Sequence, residues 1–231
     1  MKKHTGRIKA LLLGCICAVT SAFSAIPAMA DTIVPPIQGN TSSVSGTAPL
    51  VSGTAELNIP TLWVAGDSTA AAFNDTNYYS PRAGWGTQLG LYIQGVNIQN
   101  MAVSGTSSKT YADTDQYQTI LQNIKAGDYL MIGFGHNDER PELGRYTNPG
   151  GSPSVVGSFQ YYLFEKYIQP AKERGAIPIL VTPIVRRDLG NNYTGESGHI
   201  TETVTNEEGT FQGGNYAKAI KQLGVGKSVT V

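Results

Sequence analysis

The sequence predicts an α/β fold, a three-layer α/β/α sandwich built on a parallel sheet. Two observations carry this. From Ile59 onward, short apolar runs alternate with longer stretches of helical character, and strands alternating with helices imply a parallel sheet covered on both faces. The apolar runs also end in small and polar residues, as where Leu62-Trp63-Val64-Ala65 leads into Gly66-Asp67-Ser68-Thr69. That arrangement places polar side chains on the sheet rim, where α/β folds hold ligands. Right-handed crossovers then make the sheet doubly wound. A chain of 231 residues is long enough for one such domain with a substantial core.

Taken in order, strand one is expected at 61–66. A helix over 84–95 follows, opening at Gly84-Trp85-Gly86, and strand two covers 96–100. Residues 117–125 read as a helix, with Ile120, Leu121 and Ile124 at helical spacing. Strand three is 128–134. The longest helix is expected over 156–174, stopped by Gly175, and strand four over 177–182. A helix at 214–223 precedes strand five, which begins at 227–231. The sequence stops inside that strand, where an edge would lack its covering helix. The sheet is therefore expected to be incomplete at its C-terminal side.

Residues 1–30 read as a secretory signal. Lys2, Lys3, Arg7 and Lys9 form a basic start, 10–25 is mostly apolar, and Ala28-Met29-Ala30 is a small-x-small site with cleavage before Asp31. The alternatives are an uncleaved membrane anchor, for which the apolar stretch is short and broken, and a lipoprotein signal at Leu12-Leu13-Gly14-Cys15. Both cysteines, Cys15 and Cys17, fall in this segment, so the mature chain has no disulfide or thiolate chemistry. Residues 31–58 are rich in Ser, Thr, Gly and Pro and repeat Ser-Gly-Thr-Ala at 45–48 and 52–55. They suit a spacer, or an extension packed on the domain. Without the four basic residues of the signal, the chain holds 13 positive against 17 negative charges, a formal net of −4. With no basic patch, nucleic acid is not the expected partner. A mildly acidic secreted chain fits a neutral or weakly charged substrate.

Three segments carry the chemistry. They are Gly66-Asp67-Ser68-Thr69, the run from Asn100 through Gly105 to Ser108, and Gly135-His136-Asn137-Asp138. In order and spacing they resemble the first three sequence blocks of the SGNH (GDSL-type) hydrolases. Gly84-Trp85-Gly86 narrows the resemblance to the rhamnogalacturonan acetylesterase branch. The likeness covers Ile59 to Val231 and implies a flavodoxin-like strand order. It implies that Ser68 is the nucleophile. The Ser68 backbone N–H, the Gly105 backbone N–H and the Asn137 side chain would form the oxyanion hole. A serine hydroxyl needs a neighbouring base, and pre-aimed N–H donors stabilise the oxygen charge that develops during attack. Asp67 is expected to brace the serine turn, Trp85 to pack the first helix beside the site, and Asn100 to shape the second loop. Where the family often carries arginine after the block-two glycine, this chain has Thr106.

The family's last block, D-x-x-H, supplies the base, and it is not found in this sequence. Outside the signal the histidines are His136 and His199. His136 precedes the oxyanion asparagine and is not the base of the family. Glu196-Ser197-Gly198-His199 mimics the acid-x-x-histidine spacing, but it follows strand four rather than strand five; a substrate-loop histidine is the preferred reading. No catalytic His or Asp is assigned. Gly226-Lys227-Ser228 ends like a P-loop, but Lys221 stands where the first glycine belongs. The lipase elbow G-x-S-x-G is absent, and no cluster has metal-ligand spacing.

The resemblance and the signal together imply a secreted serine esterase that removes O-acetyl groups from plant cell-wall polysaccharide, with no cofactor and no metal. Its partner would be the acetylated polysaccharide, with no nucleic acid and no stable membrane association after signal cleavage. One alternative is a lipase or thioesterase of the same superfamily, which needs an apolar cleft; the polar, Gly/Pro-rich loops at 74–83 and 138–155 speak against it. Another is an inactive fragment or carbohydrate-binding remnant, suggested by the missing fourth block.

Overall fold

The apolar run Leu62–Ala65 forms the centre of β1 (Thr61–Gly66), a strand buried along almost its whole length. The computed structural model describes residues 58–73, 82–186 and 199–231. The expected signal at 1–30, the spacer at 31–58 except Asn58, and most of the 74–83 loop lie outside these residues. β1 pairs in parallel with β2 (Asn97–Asn100), Val64 lying opposite Asn100. On its other side it pairs with β3 (Tyr129–Gly133), in turn paired with β4 (Ile177–Val181). The order β2-β1-β3-β4 is the flavodoxin-like one. All four strands run the same way, so their C-terminal ends share one rim.

Helices cover this sheet. α1 (Asp115–Asn123) starts two residues earlier than its apolar spacing suggests, because Thr114 caps it by accepting the Tyr117 N–H at 3.2 Å. The long helix begins at Phe159 rather than 156, where Ser158 accepts the Tyr161 N–H at 3.0 Å. It runs as α2 (Phe159–Tyr162), a wider π segment (Leu163–Ile168), and α3 (Gln169–Glu173). Pro170 explains the wide segment. It has no N–H to give the Lys166 carbonyl, and its ring crowds that carbonyl. The Tyr117 hydroxyl donates to the Lys166 carbonyl instead, at 2.7 Å.

Three expectations need correction. The helix at 84–95 is shorter and tighter, a 3₁₀ helix over Trp85–Leu91. Residues 227–231 hold less strand than expected, because α4 (Tyr216–Lys227) runs on past Leu223 and Ser228 closes it in the left-handed region at φ 51°. Thr230 alone bridges in parallel to Ile179 of β4, extending the order at its expected fifth position. Finally, residues 202–213 contain an antiparallel hairpin, β5 (Val204–Asn206) with β6 (Gly209–Phe211), where no element was expected.

The core gathers Ile120, Leu130, Ile132, Leu163, Leu180 and Ile220 with four aromatic rings in edge-on and tilted contact, Tyr111, Tyr117, Phe134 and Tyr167. Ring centroids in that group lie 5.2–6.3 Å apart. Their hydroxyls reach loop carbonyls, Tyr111 to Met101 at 2.7 Å and Tyr167 to Ser108 at 2.6 Å. The packed core thereby fixes both ends of the loop after β2. At the opposite sheet end, buried Asp128 accepts from Thr61 N, Lys125 N and Trp63 Nε1 at 2.8, 3.1 and 3.2 Å. That carboxylate ties strand starts together, far from the rim where the motifs lie. No helix among the described residues is long and apolar enough to cross a membrane.

Candidate active site

Three loops leave the C-terminal ends of β1, β2 and β3, and each carries one of the sequence motifs. In the first, Asp67 is buried and its Oδ1 accepts the Thr69 backbone N–H at 2.8 Å and the Thr69 hydroxyl at 2.7 Å. Its carbonyl accepts Ala70 N and Ala71 N, both at 3.1 Å. This is the bracing expected of Asp67, and it leaves Ser68 half-buried at the apex of the turn. Burial raises the Asp67 pKa above the ordinary carboxylate value, against the Thr69 hydrogen bonds and the Arg186 charge.

Asn100 shapes the second loop as expected. Its amide donates to the Ala70 carbonyl at 2.8 Å, and its Oδ1 accepts the Ala102 N–H at 3.2 Å. Gly105 is exposed, at φ +85°, with open space where a side chain would stand. The left-handed conformation is the reason for glycine here. In the third loop the buried Asn137 donates from Nδ2 to the Thr106 carbonyl at 2.8 Å. Val103 N donates to the Gly66 carbonyl at 2.9 Å, and the His136 N–H donates to Asp67. Each loop is thus hydrogen-bonded to both others. The structure brings the segments of Ser68, Gly105 and Asn137 together at one rim. Trp85 packs as expected, its ring lying where a Cβ on Gly133 would sit, 2.7 Å from Cζ2.

Sequence reasoning passed over Asp138, Glu139 and Arg186. Asp138 is fully buried and clamps the second and third loops. It accepts Ser108 N at 3.1 Å, Ser108 Oγ at 2.5 Å, Gly135 N at 3.1 Å and Thr147 Oγ1 at 2.9 Å. Burial pushes its carboxyl up to about 7 despite these donors. Glu139, also buried, pairs with Arg186, accepts Ile200 N at 3.0 Å and lies 3.3 Å from His199 Nδ1. Burial pushes the Glu139 pKa up, but His199 and Arg186 outweigh it and hold the carboxyl below its ordinary value. Arg186 also donates to the His136 carbonyl, and its Nη1 lies 3.0 Å from His136 Nε2. Burial and the Arg186 charge lower His136 to about 4, so its ring is neutral at physiological pH. His199 is buried in this acid–arginine cluster, at 1 % exposure. The only sequence signal for the cluster was two acids directly following Asn137.

Ser68, Thr69, Phe73, Arg82, Ala83 and Ile184 line an open cavity of about 340 Å³. The Arg82 guanidinium lies over the Phe73 ring, 4.4 Å from its centroid. Two other clefts, of about 370 and 310 Å³, lie between the 149–154 loop and α4, away from all three motifs.

A family model, GDSL-like lipase/acylhydrolase, matches residues 62–221. A rhamnogalacturonan acetylesterase of Bacillus subtilis (strain 168) is 34% identical over 163 residues, covering 70% of this chain and 59% of that protein. A probable rhamnogalacturonan acetylesterase of the same organism is 36% identical over 129 residues, 54% of each chain. The rhamnogalacturonan acetylesterase of Emericella nidulans is 38% identical over 97 residues, 42% of this chain and 34% of that one. The chain therefore spans 59% or less of these curated relatives. Among solved structures, a Bacillus subtilis protein superposes with a TM-score of 0.52 at 28% identity, covering 74% of this chain and 42% of that chain.

Proposed function

This chain belongs to the GDSL-like lipase/acylhydrolase family, and from that membership we propose that it is a secreted serine esterase removing O-acetyl groups from a rhamnogalacturonan-like polysaccharide. The observation that carries the reading is the mutual bonding of the three rim loops, which gives Ser68, Gly105 and Asn137 one rigid frame. Ser68 Oγ attacks the acetyl carbonyl carbon. The Ser68 and Gly105 backbone N–H groups and the Asn137 amide hold the oxygen that becomes negative. Removing one such donor typically costs about 2.7–4 kcal/mol of transition-state stabilisation. Collapse of the tetrahedral species expels the sugar hydroxyl, and water then hydrolyses the acetyl-serine.

Neither described histidine is assigned as the base that takes the Ser68 proton. His136 Nε2 faces Arg186, and His199 is packed against Glu139. In the family that base belongs to the D-x-x-H block. An arginine beside Ser68 suits a polar substrate better than a long acyl chain, which favours the carbohydrate reading over the lipase one. The signal at 1–30 supports action outside the cell. The test is acetate release from acetylated pectin set against hydrolysis of long-chain acyl esters. Cleavage of long acyl esters without release of pectin acetate would reject the carbohydrate reading.

A further inference from the structure

We propose that the cleft between the 149–154 loop and α4 is a second glycan-binding site, in which the Gln160 carboxamide hydrogen-bonds neighbouring hydroxyls of a neutral sugar residue. No residue of the three rim motifs lines this cleft, so the inference does not rest on the esterase reading.

Gln160 carries the argument. It is 9 % exposed, and its carboxamide makes no hydrogen bond among the described residues. Buried polar side chains are hydrogen-bonded in the large majority of cases, so one without a protein partner calls for a partner from outside. Its amide atoms are not sealed in the core, and the surface they keep opens into the cleft.

The rest of the lining narrows the ligand. A carboxamide presents an acceptor and two donors side by side without charge. Ser152, Ser154 and Gln222 add groups of the same kind around it. Two adjacent sugar hydroxyls, each both donor and acceptor, complement such a set. Leu223 and Pro153 supply apolar surface for the C–H face of a pyranose ring. Lys227 is the one charged lining residue among those described, and its ammonium lies over the Phe164 ring, 3.8 Å from the centroid. The cleft therefore holds no cluster of cations for a carboxylate or phosphate. Its volume of about 370 Å³ falls in the range of small-molecule sites, roughly 300–1,000 Å³. Gln222 also lines the neighbouring cleft of about 310 Å³, together with Asn215. A glycan chain leaving the first cleft thus has a second polar recess to continue into.

The test titrates xylohexaose and galactohexaose, two neutral hexasaccharides, into the isotope-labelled intact chain and follows the side-chain amide signals by NMR. The expected result is a saturable shift of the Gln160 and Gln222 NH₂ signals with at least one of the two. Raising the salt from about 0.05 to about 0.5 M should leave that affinity within about twofold, since no charge is engaged. Gln160→Leu should weaken binding at least about tenfold. It should also melt no lower than the parent, because the amide has no protein partner to lose, and this separates a ligand-binding role from a structural one. Gln222→Ala, at an exposed position of α4, should weaken binding about threefold and provides a second variant with the core untouched. Failure of both hexasaccharides to bind would overturn the proposal, as would shifts confined to residues around Ser68 or equal affinity in parent and Gln160→Leu. Binding at Gln160 without acetate release from acetylated pectin would uphold this inference while refuting the esterase reading. Acetate release with no response at Gln160 would do the reverse.

Discussion

Replacing Arg186 by methionine removes the cation that holds the third rim loop to the segment after β4. Arg186 is 11 % exposed and Glu139 1 %, so the variant leaves a buried carboxylate short of its main partner. Breaking a buried pair in this way costs about 3–5 kcal/mol. Glu139 keeps Ile200 N at 3.0 Å and His199 Nδ1 at 3.3 Å, which places the expected loss near the lower end, about 3 kcal/mol. In a domain of this size that lowers the melting temperature by about 6–12 °C. Urea unfolding of Arg186→Met, Glu139→Gln and the double variant gives the pair term directly. The double variant should cost clearly less than the two single losses added together. The pH dependence has a fixed sign. The folded Glu139 pKa lies below its ordinary 4.5, so the pair's contribution is present above that value and is lost as pH falls through the folded pKa. His136 gives a second readout: in Arg186→Met its pKa should rise from about 4 toward 6.5, because a neighbouring positive charge is gone. A loss under about 1 kcal/mol in Arg186→Met, with strictly additive behaviour in the double variant, would refute the reasoning.

Asp138 titrates the other way. Its folded pKa is raised from 3.8 to about 7, so the stability tied to it is full below 3.8 and is lost as pH rises through about 7. Asp138→Asn should flatten that slope relative to parent, because the amide does not titrate. His136 acts with opposite sign in the same window, so the measurement compares variant with parent by chemical denaturation at each pH. Asp128→Ala should lower stability by about 3 kcal/mol by stranding three donors, with no change in ligand affinity at the far rim. The two glycines should separate by thermal unfolding. Gly133→Ala meets Trp85 at 2.7 Å and should cost about 1–3 kcal/mol, whereas Gly105→Ala meets nothing and should cost only about 1 kcal/mol of left-handed strain.

What was legible in the sequence was what periodicity and punctuation encode. β1 falls at its expected bounds because Gly66 ends an unbroken apolar run, and β3 and β4 each end one residue short of theirs. The π segment was not legible, because it depends on Tyr117 reaching the carbonyl that Pro170 leaves unpaired. Nor was the β5–β6 hairpin, whose strands of three residues are too short to show alternation. At the candidate site, Ser68, Gly105 and Asn137 could be placed beyond strand ends. The Glu139–Arg186 pair could not, since its members lie 47 positions apart and only the parallel β3–β4 pairing brings their loops side by side. Ser228 in the left-handed region is likewise a product of how α4 closes, and the residue type gives no warning of it.

Under the proposed function, Ser68 is the nucleophile of a polysaccharide acetylesterase. The most direct measurement is acetate released from acetylated rhamnogalacturonan by the protein as its host makes it, beside Ser68→Ala with its fold verified by circular dichroism. The expected result is steady acetate release by the parent and a loss of at least about a thousandfold in Ser68→Ala. Equal release by both, or none by the parent, would contradict it.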